Sequence, residues 1–243
     1  MKKYILTLIL ALASLGLYAQ TNRNKTIINA ALHGWEYEIK AGVNLGGTAP
    51  LPFPEEIRSI DGYNPTLSIT IEGNMTKWLD TKKKWGIITG LRLENKGMRT
   101  KATVKNYNME IIGYDGNRLK GNWTGGVRTK VQNSYITIPV LAAYKLSPRT
   151  TLKLGPYFSY LMDGDFSGHV YEGYLRETNP TGDKINFTNG AIATYDFSGD
   201  LRKFQWGVQA GVDWKAFKHL KVHADLNWGL NDIFNKDFKT VTF

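Results

Sequence analysis

The chain contains no cysteine, which removes disulfide frameworks, thiolate metal sites and thiol nucleophiles together. Histidine is scarce: His33, His169, His219 and His223 are the only four. No metal site is expected from them, and no cofactor. Beyond the first twenty residues, no apolar run approaches the roughly 20 residues that a membrane-spanning helix needs. Amphipathic helical periodicity is missing too, apart from a turn or two at TIINAAL, residues 26–32. The glycine pairs in NLGG and TGG are followed by no helix, so phosphate-cradling loops are excluded.

What is present begins at the N-terminus. MKKYILTLILALASLGLYAQ carries two lysines, an apolar run from Tyr4 to Leu17, and then Tyr18-Ala19-Gln20. This is the layout of a secretory signal, with cleavage expected after Ala19. Residues 20–34 then form a short N-terminal segment ahead of one domain at 35–243. The formal charge is +10, or +8 once Lys2 and Lys3 leave with the signal. An exported basic chain has little occasion to meet nucleic acid, so none is expected. Anionic lipid head groups are the better match.

The rest alternates with a period of two, the signature of β-strands. In FQWGVQAGVDW, Phe204, Trp206, Val208, Ala210, Val212 and Trp214 are apolar. The residues between them are polar or glycine. Similar runs occur at 35–45, 66–76, 85–96, 134–146, 151–162 and 220–230, each about 10–13 residues long. Membrane β-strands need about 9–11 residues, whereas soluble strands average about 5–6. Pro139 inside the fourth run suggests a bulge or a locally unpaired position. Seven long strands without intervening helices imply antiparallel hairpins. Their connections alternate between short (KWLDTKKK, SPR, KAFKH) and long (46–65, 97–133, 163–203). Short turns at one end and long loops at the other match outer-membrane barrels.

An exported soluble barrel would show the same alternation with its faces reversed. Two features favour apolar-out. Glycines collect on the polar face, at Gly42, Gly86, Gly90, Gly155, Gly207, Gly211 and Gly229, where a narrow lumen needs small side chains. Aromatics collect at both ends of the apolar face: Trp35, Tyr37, Trp85, Tyr144 and Trp214 at one, Phe158, Tyr160, Phe204, Trp206 and Trp228 at the other. Two lipid–water interfaces call for two such girdles. The fold expected is therefore an all-β, antiparallel, up-and-down transmembrane barrel of eight strands, seven of them visible.

In that orientation the lumen holds a polar network of Glu38, Lys40, Glu72, Arg92, Glu94, Lys153, Asp213, Lys221, His223 and Asp225. Such charges must pair to be tolerated, so they should plug the lumen and leave little conductance. His223 with Asp225 could orient a base for Ser68, but no nucleophile motif surrounds that serine, and no catalytic residue is assigned. Outside the barrel, residues 99–130 form a basic loop through Arg99, Lys101, Lys105, Arg118, Lys120, Arg128 and Lys130, against only Glu110 and Asp115. Residues 163–203 carry seven acids and four bases. The two loops are expected to pair across the barrel mouth.

ITIPVLAAYKL at 136–146, GPYFSYLM at 155–162 and GLNDIFNKDFKT at 229–240 resemble the PorT-like family of small outer-membrane β-barrels. The resemblance spans about 35–243 and implies an eight-stranded barrel, mostly without assigned activity; the member naming the family is implicated in secretion and gliding machinery. In that family an eighth strand follows the Asp-Phe-Lys-Thr segment, whereas here KTVTF ends the chain. Seven strands would leave two unpaired edges in lipid, so truncation before the last strand is expected. The function expected is non-enzymatic: a structural or surface-interaction role through long extracellular loops. The partners expected are outer-membrane lipid and lipopolysaccharide, and an envelope protein beside them. An accessory part in a secretion or envelope complex is the second reading, and a barrel enzyme acting on envelope lipid is the third.

Overall fold

The computed structural model describes residues 35–48, 55–113, 116–177 and 179–235. The expected signal, the 20–34 segment with its expected helical turn, and residues 236–243 lie outside them. Among the described residues nine strands form one antiparallel sheet: β1 (Trp35–Asn44), β2 (Ile57–Thr66), β3 (Ser68–Trp78), β4 (Trp85–Ile112), β5 (Arg118–Lys145), β6 (Thr150–Glu177), β7 (Lys184–Asp196), β8 (Phe204–Lys215) and β9 (Lys221–Gly229). Seven of them make a continuous path, β1-β3-β4-β5-β6-β8-β9, and these are the seven read from the alternation. Among the described residues no ladder joins β9 to β1.

The three short turns stand where the sequence placed them. In the first, Asp80 Oδ1 accepts hydrogen bonds from the Lys84 and Trp85 amides at 2.7 and 2.8 Å. These bonds hold the Asp80 carboxyl below its ordinary pKa. Pro139 is fully buried within β5. The β4–β5 register passes it unshifted while the ladder skips Gly90 and Leu91, so the position is unpaired toward β4 and not a bulge, whereas toward β6 it pairs with Tyr157.

The long connections differ from expectation. Segment 46–65 contains β2, and 97–133 and 163–203 are mostly strand. β4, β5 and β6 each run 28 residues without a break, roughly 90 Å of extended chain at about 3.3 Å per residue. An outer-membrane apolar band is only about 25 Å tall, so most of each strand stands outside it. Bulges hid this continuity. The β4–β5 register shifts between Val104 and Tyr107, where Asn106 takes φ 56°. The β5–β6 register shifts between Gly125 and Gly126, where Glu172 at φ 48° is the extra residue of β6. Each extra residue moves the following side chains to the opposite face, and a period-two pattern read in one phase stops there.

Along the long strands the two faces exchange character. In lower β4, Trp85, Ile87, Leu91 and Leu93 point outward and stay exposed, while Ile88, Arg92 and Glu94 are buried within. Above Leu93 the outward residues become Asn95, Arg99 and Lys101, and Met98 and Val104 become the buried ones. β5 repeats the exchange, from Ile138 and Val140 outside to Arg128 and Lys130 outside, with Val127 and Trp123 within. The upper part has an apolar core of Val104, Met109, Ile111, Trp123, Val127, Val170, Leu175, Phe187, Ala193 and Tyr195. Its sheet curls back on itself, because β7 pairs with β6 along its length and with β4 at Ile112–Thr194. Gly168 permits the close approach inside it, since a Cβ there would run into the Tyr195 ring.

Both aromatic groups lie on the outward face of the lower part. Trp85 and Tyr144 touch at 4.5 Å between centroids, and Phe158 stacks on Phe204 at 6.3 Å. From Phe204 to Trp214 is about 33 Å of strand, which a tilt of about 40° turns into the roughly 25 Å of the apolar band.

Two outcomes follow from this face exchange. Val208 is 38% exposed and Gln209 is 0% exposed, so Val208→Cys should react with a lipid-soluble maleimide and Gln209→Cys should not; equal labelling would contradict the orientation. Trp123→Ala should cost about 3–5 kcal/mol and open the upper sheet to protease, leaving the heat-modifiable gel mobility of the lower barrel intact.

Candidate functional site

Alternation delivers one charged side chain after another to the interior of the lower barrel. β1 supplies Lys40, β3 Glu72, β4 Arg92 and Glu94, β6 Lys153, β8 Asp213 and β9 Asp225. Glu72 and Arg92 are direct cross-strand partners and are joined through Oε2 and Nε. Arg92 also reaches Glu94 at 3.9 Å and donates to Gln209 Oε1 at 2.8 Å. Lys40 stands between Glu72 at 3.8 Å and Asp213 at 3.6 Å. Lys153 bridges Asp213 at 2.7 Å and Asp225 at 2.8 Å. Gly211 makes room for this last bridge, because a Cβ would occupy the space of the Asp225 carboxylate.

Lys96, 38% exposed at the upper rim, completes the set through Glu94 at 3.2 Å. Four carboxylates thus face four cations. Hydroxyls and amides add further bonds: Thr137 Oγ1 donates to Glu94 at 2.8 Å, its oxygen lies 2.7 Å from Ser159 Oγ, and Asn74 Nδ2 donates to Glu72. Burial of so many charges is tolerable only under this degree of pairing. The interior is filled further by Trp78, Ile88, Leu141 and Ala143 toward the short turns.

Seven of the ten residues assigned from sequence to the lumen network are thereby joined. Three are not. Glu38 and Lys221 form their own pair at 3.0 Å, with side chains 19% and 37% exposed, because they lie near the strand ends where solvent reaches. His223 stands against Gly42, its Nε2 about 3.2 Å from where a Cβ would be. It is not brought to Ser68: that hydroxyl donates to the Thr66 carbonyl at 3.2 Å, and Asp225 is engaged by Lys153. Thr137, Ser159 and Lys96 are network members that sequence reading missed. Their signal was parity alone, since each occupies the inward phase of its strand.

The basic loop is a pair of strands, and register sorts its seven cations. Arg99 stands directly opposite Lys130, and Lys101 opposite Arg128. All four are outward and exposed. Lys105 lies beyond them at the bulge. Arg118 and Lys120 are near the hairpin tip with Glu110, which Arg118 contacts at 2.8 Å and which is the register partner of Lys120. The basic and acidic segments lie side by side as β5 and β6, paired from Gly121–Glu177 to Lys130–Ser167 with one register shift between Gly125 and Gly126. Lys130 meets Asp165 at 3.1 Å, an exposed pair worth at most about 1 kcal/mol, so backbone pairing and the apolar core hold the segments together, not charge. A Ser167 hydrogen bond, then Lys130, keep the Asp165 carboxyl below its ordinary pKa. Burial and the Arg128 guanidinium likewise lower His169. Inside, burial raises the Tyr195 phenol, whose oxygen lies 2.6 Å from Thr129 Oγ1 and donates to the Arg128 carbonyl at 3.1 Å.

Residues 18–235 match the family model described as outer membrane protein beta-barrel domain. No curated protein and no solved structure matches the chain.

Arg92→Met should destabilise the folded barrel by about 3–5 kcal/mol, since it strands buried Glu72. Adding Glu72→Gln should recover part of that loss. Urea unfolding in detergent micelles reads both, and a double variant no better than the single one would show that the pair is not coupled.

Proposed function

Because the chain belongs to the outer membrane beta-barrel domain family, we propose that its role in that membrane is non-enzymatic and lies at the cell surface. The lower barrel acts as an anchor, and the upper sheet of β2, β4, β5, β6 and β7 acts as the interacting part. The observation that carries this reading is the contrast between the two sets of charges. Those inside are balanced and buried, whereas those on the outer face of the upper sheet are unbalanced and open to solvent. A filled interior favours an anchor over a pore. The engagement of Ser68 by the Thr66 carbonyl and of Asp225 by Lys153 supports the non-enzymatic reading.

The reading includes export by the N-terminal signal and short turns on the periplasmic side. It also includes membership of the PorT-like group, supported by ITIPVLAAYKL, GPYFSYLM and GLNDIFNKDFKT. A second reading, an accessory part of an envelope complex, is favoured by β2. That strand is mostly exposed on both faces and presents Ile60 and Tyr63, 53% and 51% exposed, a surface suited to a protein partner.

An epitope inserted after Gly116 should be detected on intact cells, and the purified protein in planar bilayers should show no stable large channel. Signal only after permeabilisation would reverse the orientation; large, long-lived conductance would replace the anchor with a pore. A stoichiometric protein co-purifying from solubilised envelopes would favour the accessory reading.

A further inference from the structure

We infer that the outer face of β3, β4 and β5 binds the phosphorylated head group of an outer-leaflet glycolipid, with Arg99, Lys101, Arg128 and Lys130 holding phosphate and Leu67 and Ile69 supporting acyl chain. The inference names the partner of the surface assigned above and rests on that reading's orientation.

Three observations converge on this place. The first is charge. Arg99 opposite Lys130 and Lys101 opposite Arg128 put four cations on alternate rungs of one face, on either side of the Thr100–Thr129 rung, and like charges directly opposite one another repel. Their flanking register partners do not compensate: Asn64 and Gly62 on β2, Ser167 and His169 on β6. The nearby carboxylates are few. Asp165 holds Lys130, Asp196 on β7 is the register partner of Ser167 and accepts from the Ser198 amide, Asp163 lies lower on β6 opposite Ser134, and Asp61 accepts from Ser59 and Thr103. The patch keeps an excess of positive charge on its β4 side.

The second observation is shape. Where β2 gives way to β3, the ladder with β4 passes from Thr66–Gly97 to Thr70–Glu94 and leaves Asn95 and Lys96 without a partner from either strand. A groove of about 240 Å³ opens there, with Leu67, Ile69, Asn95, Arg99, Lys130 and Gln132 along it. The third is height. Leu67 and Ile69 are 64% and 67% exposed and continue the lipid-facing row of Ile71 upward. Thr66, the neighbour of Leu67, is the register partner of Gly97, so Arg99 stands two residues above that rung, about 7 Å along the strand. Apolar wall meets guanidinium within one groove, at the depth where a lipid's acyl chains end and its phosphate begins. Long cationic side chains reach back toward that level, and arginine suits phosphate through its paired donors. Exposed cations with no ligand gain little from one another; a phosphate between them relieves the repulsion and binds in the same act.

The test uses the full chain in detergent, titrated with diphosphoryl lipid A and followed by native mass spectrometry. Removing the lipid's phosphates should weaken binding at least about tenfold, as should Arg99→Gln with Lys101→Gln, Arg128→Gln and Lys130→Gln. Equimolar inorganic phosphate should not displace the lipid. Equal binding of the dephosphorylated lipid by the unaltered protein would overturn the inference whether or not the quadruple variant folds. Displacement by inorganic phosphate would overturn it in favour of a free-anion site. Binding in detergent is indifferent to which way the barrel sits. Failure here with the Gly116 epitope exposed on cells therefore rejects the lipid site alone, while a hidden epitope rejects the orientation.

Discussion

Hydrocarbon offers no water to a peptide amide, so a segment in lipid must pair its backbone within itself or with a neighbour. Among the described residues no helix is long and apolar enough to cross a membrane; a continuous sheet satisfies the requirement, and the other features of the lower part descend from it. Strands of about ten residues must face lipid on one side, which sends every alternate residue inward. The inward space is too narrow for water to solvate charge, so whatever charge the sequence places there has to be matched on the spot. Lys40, Glu72, Arg92, Glu94, Lys153, Asp213 and Asp225 are matched, with Lys96 supplying the fourth cation. The network spans β1, β3, β4, β6, β8 and β9, so it ties together strands that share no ladder. Its members lose their compensation if any one strand is displaced, which couples side-chain electrostatics to the backbone arrangement.

Above the lipid the constraint is lifted, and the same strands obey the opposite rule. Water can solvate the outer face, so Arg99, Lys101, Arg128 and Lys130 go there, and Val104, Val127, Trp123 and Tyr195 go inside. No new strand is needed for this change, only a change in which residue types occupy which parity. Bulges at Asn106 and Glu172 then adjust the phase again near the top, aiming Met109, Ile111 and Leu175 into the core. The two halves are thus two folding problems solved along one set of backbones. The lower is held by ladder and ion pairs, the upper by ladder and apolar burial.

This division explains what could be read from the sequence. The lower strands were legible because they keep a single phase for ten or more residues and carry their aromatics at both ends. The upper strands were not. Gly121, Gly125 and Gly126 dilute the pattern of β5, each bulge reverses parity, and polar outer residues over an apolar core resemble any solvated loop when the phase is lost. Parity also separated inward from outward charges without saying which would meet. Glu38 and Lys221 share the inward phase with Lys40 and His223, yet end position leaves them half in solvent. The cations at 99–130 were visible as composition. Only the register of a hairpin 28 residues long on each arm puts Arg99 beside Lys130 and separates both from Arg118.

Charge on this protein consequently has two meanings. Inside, every carboxylate has a cation within about 4 Å, and the field of the set is small at a distance because opposite signs lie close together. Such a network can hold a barrel but cannot be read from outside. On the outer face of β4 and β5 the cations exceed their acids, and their repulsion is a standing cost that the β-ladder has to carry. A cost of that kind persists in a structure when something else present in the same place offsets it. At the lipid edge, directly above Leu67 and Ile69, the abundant neighbours carrying negative charge are lipid head groups. The placement of the excess charge, more than its amount, is what points to them.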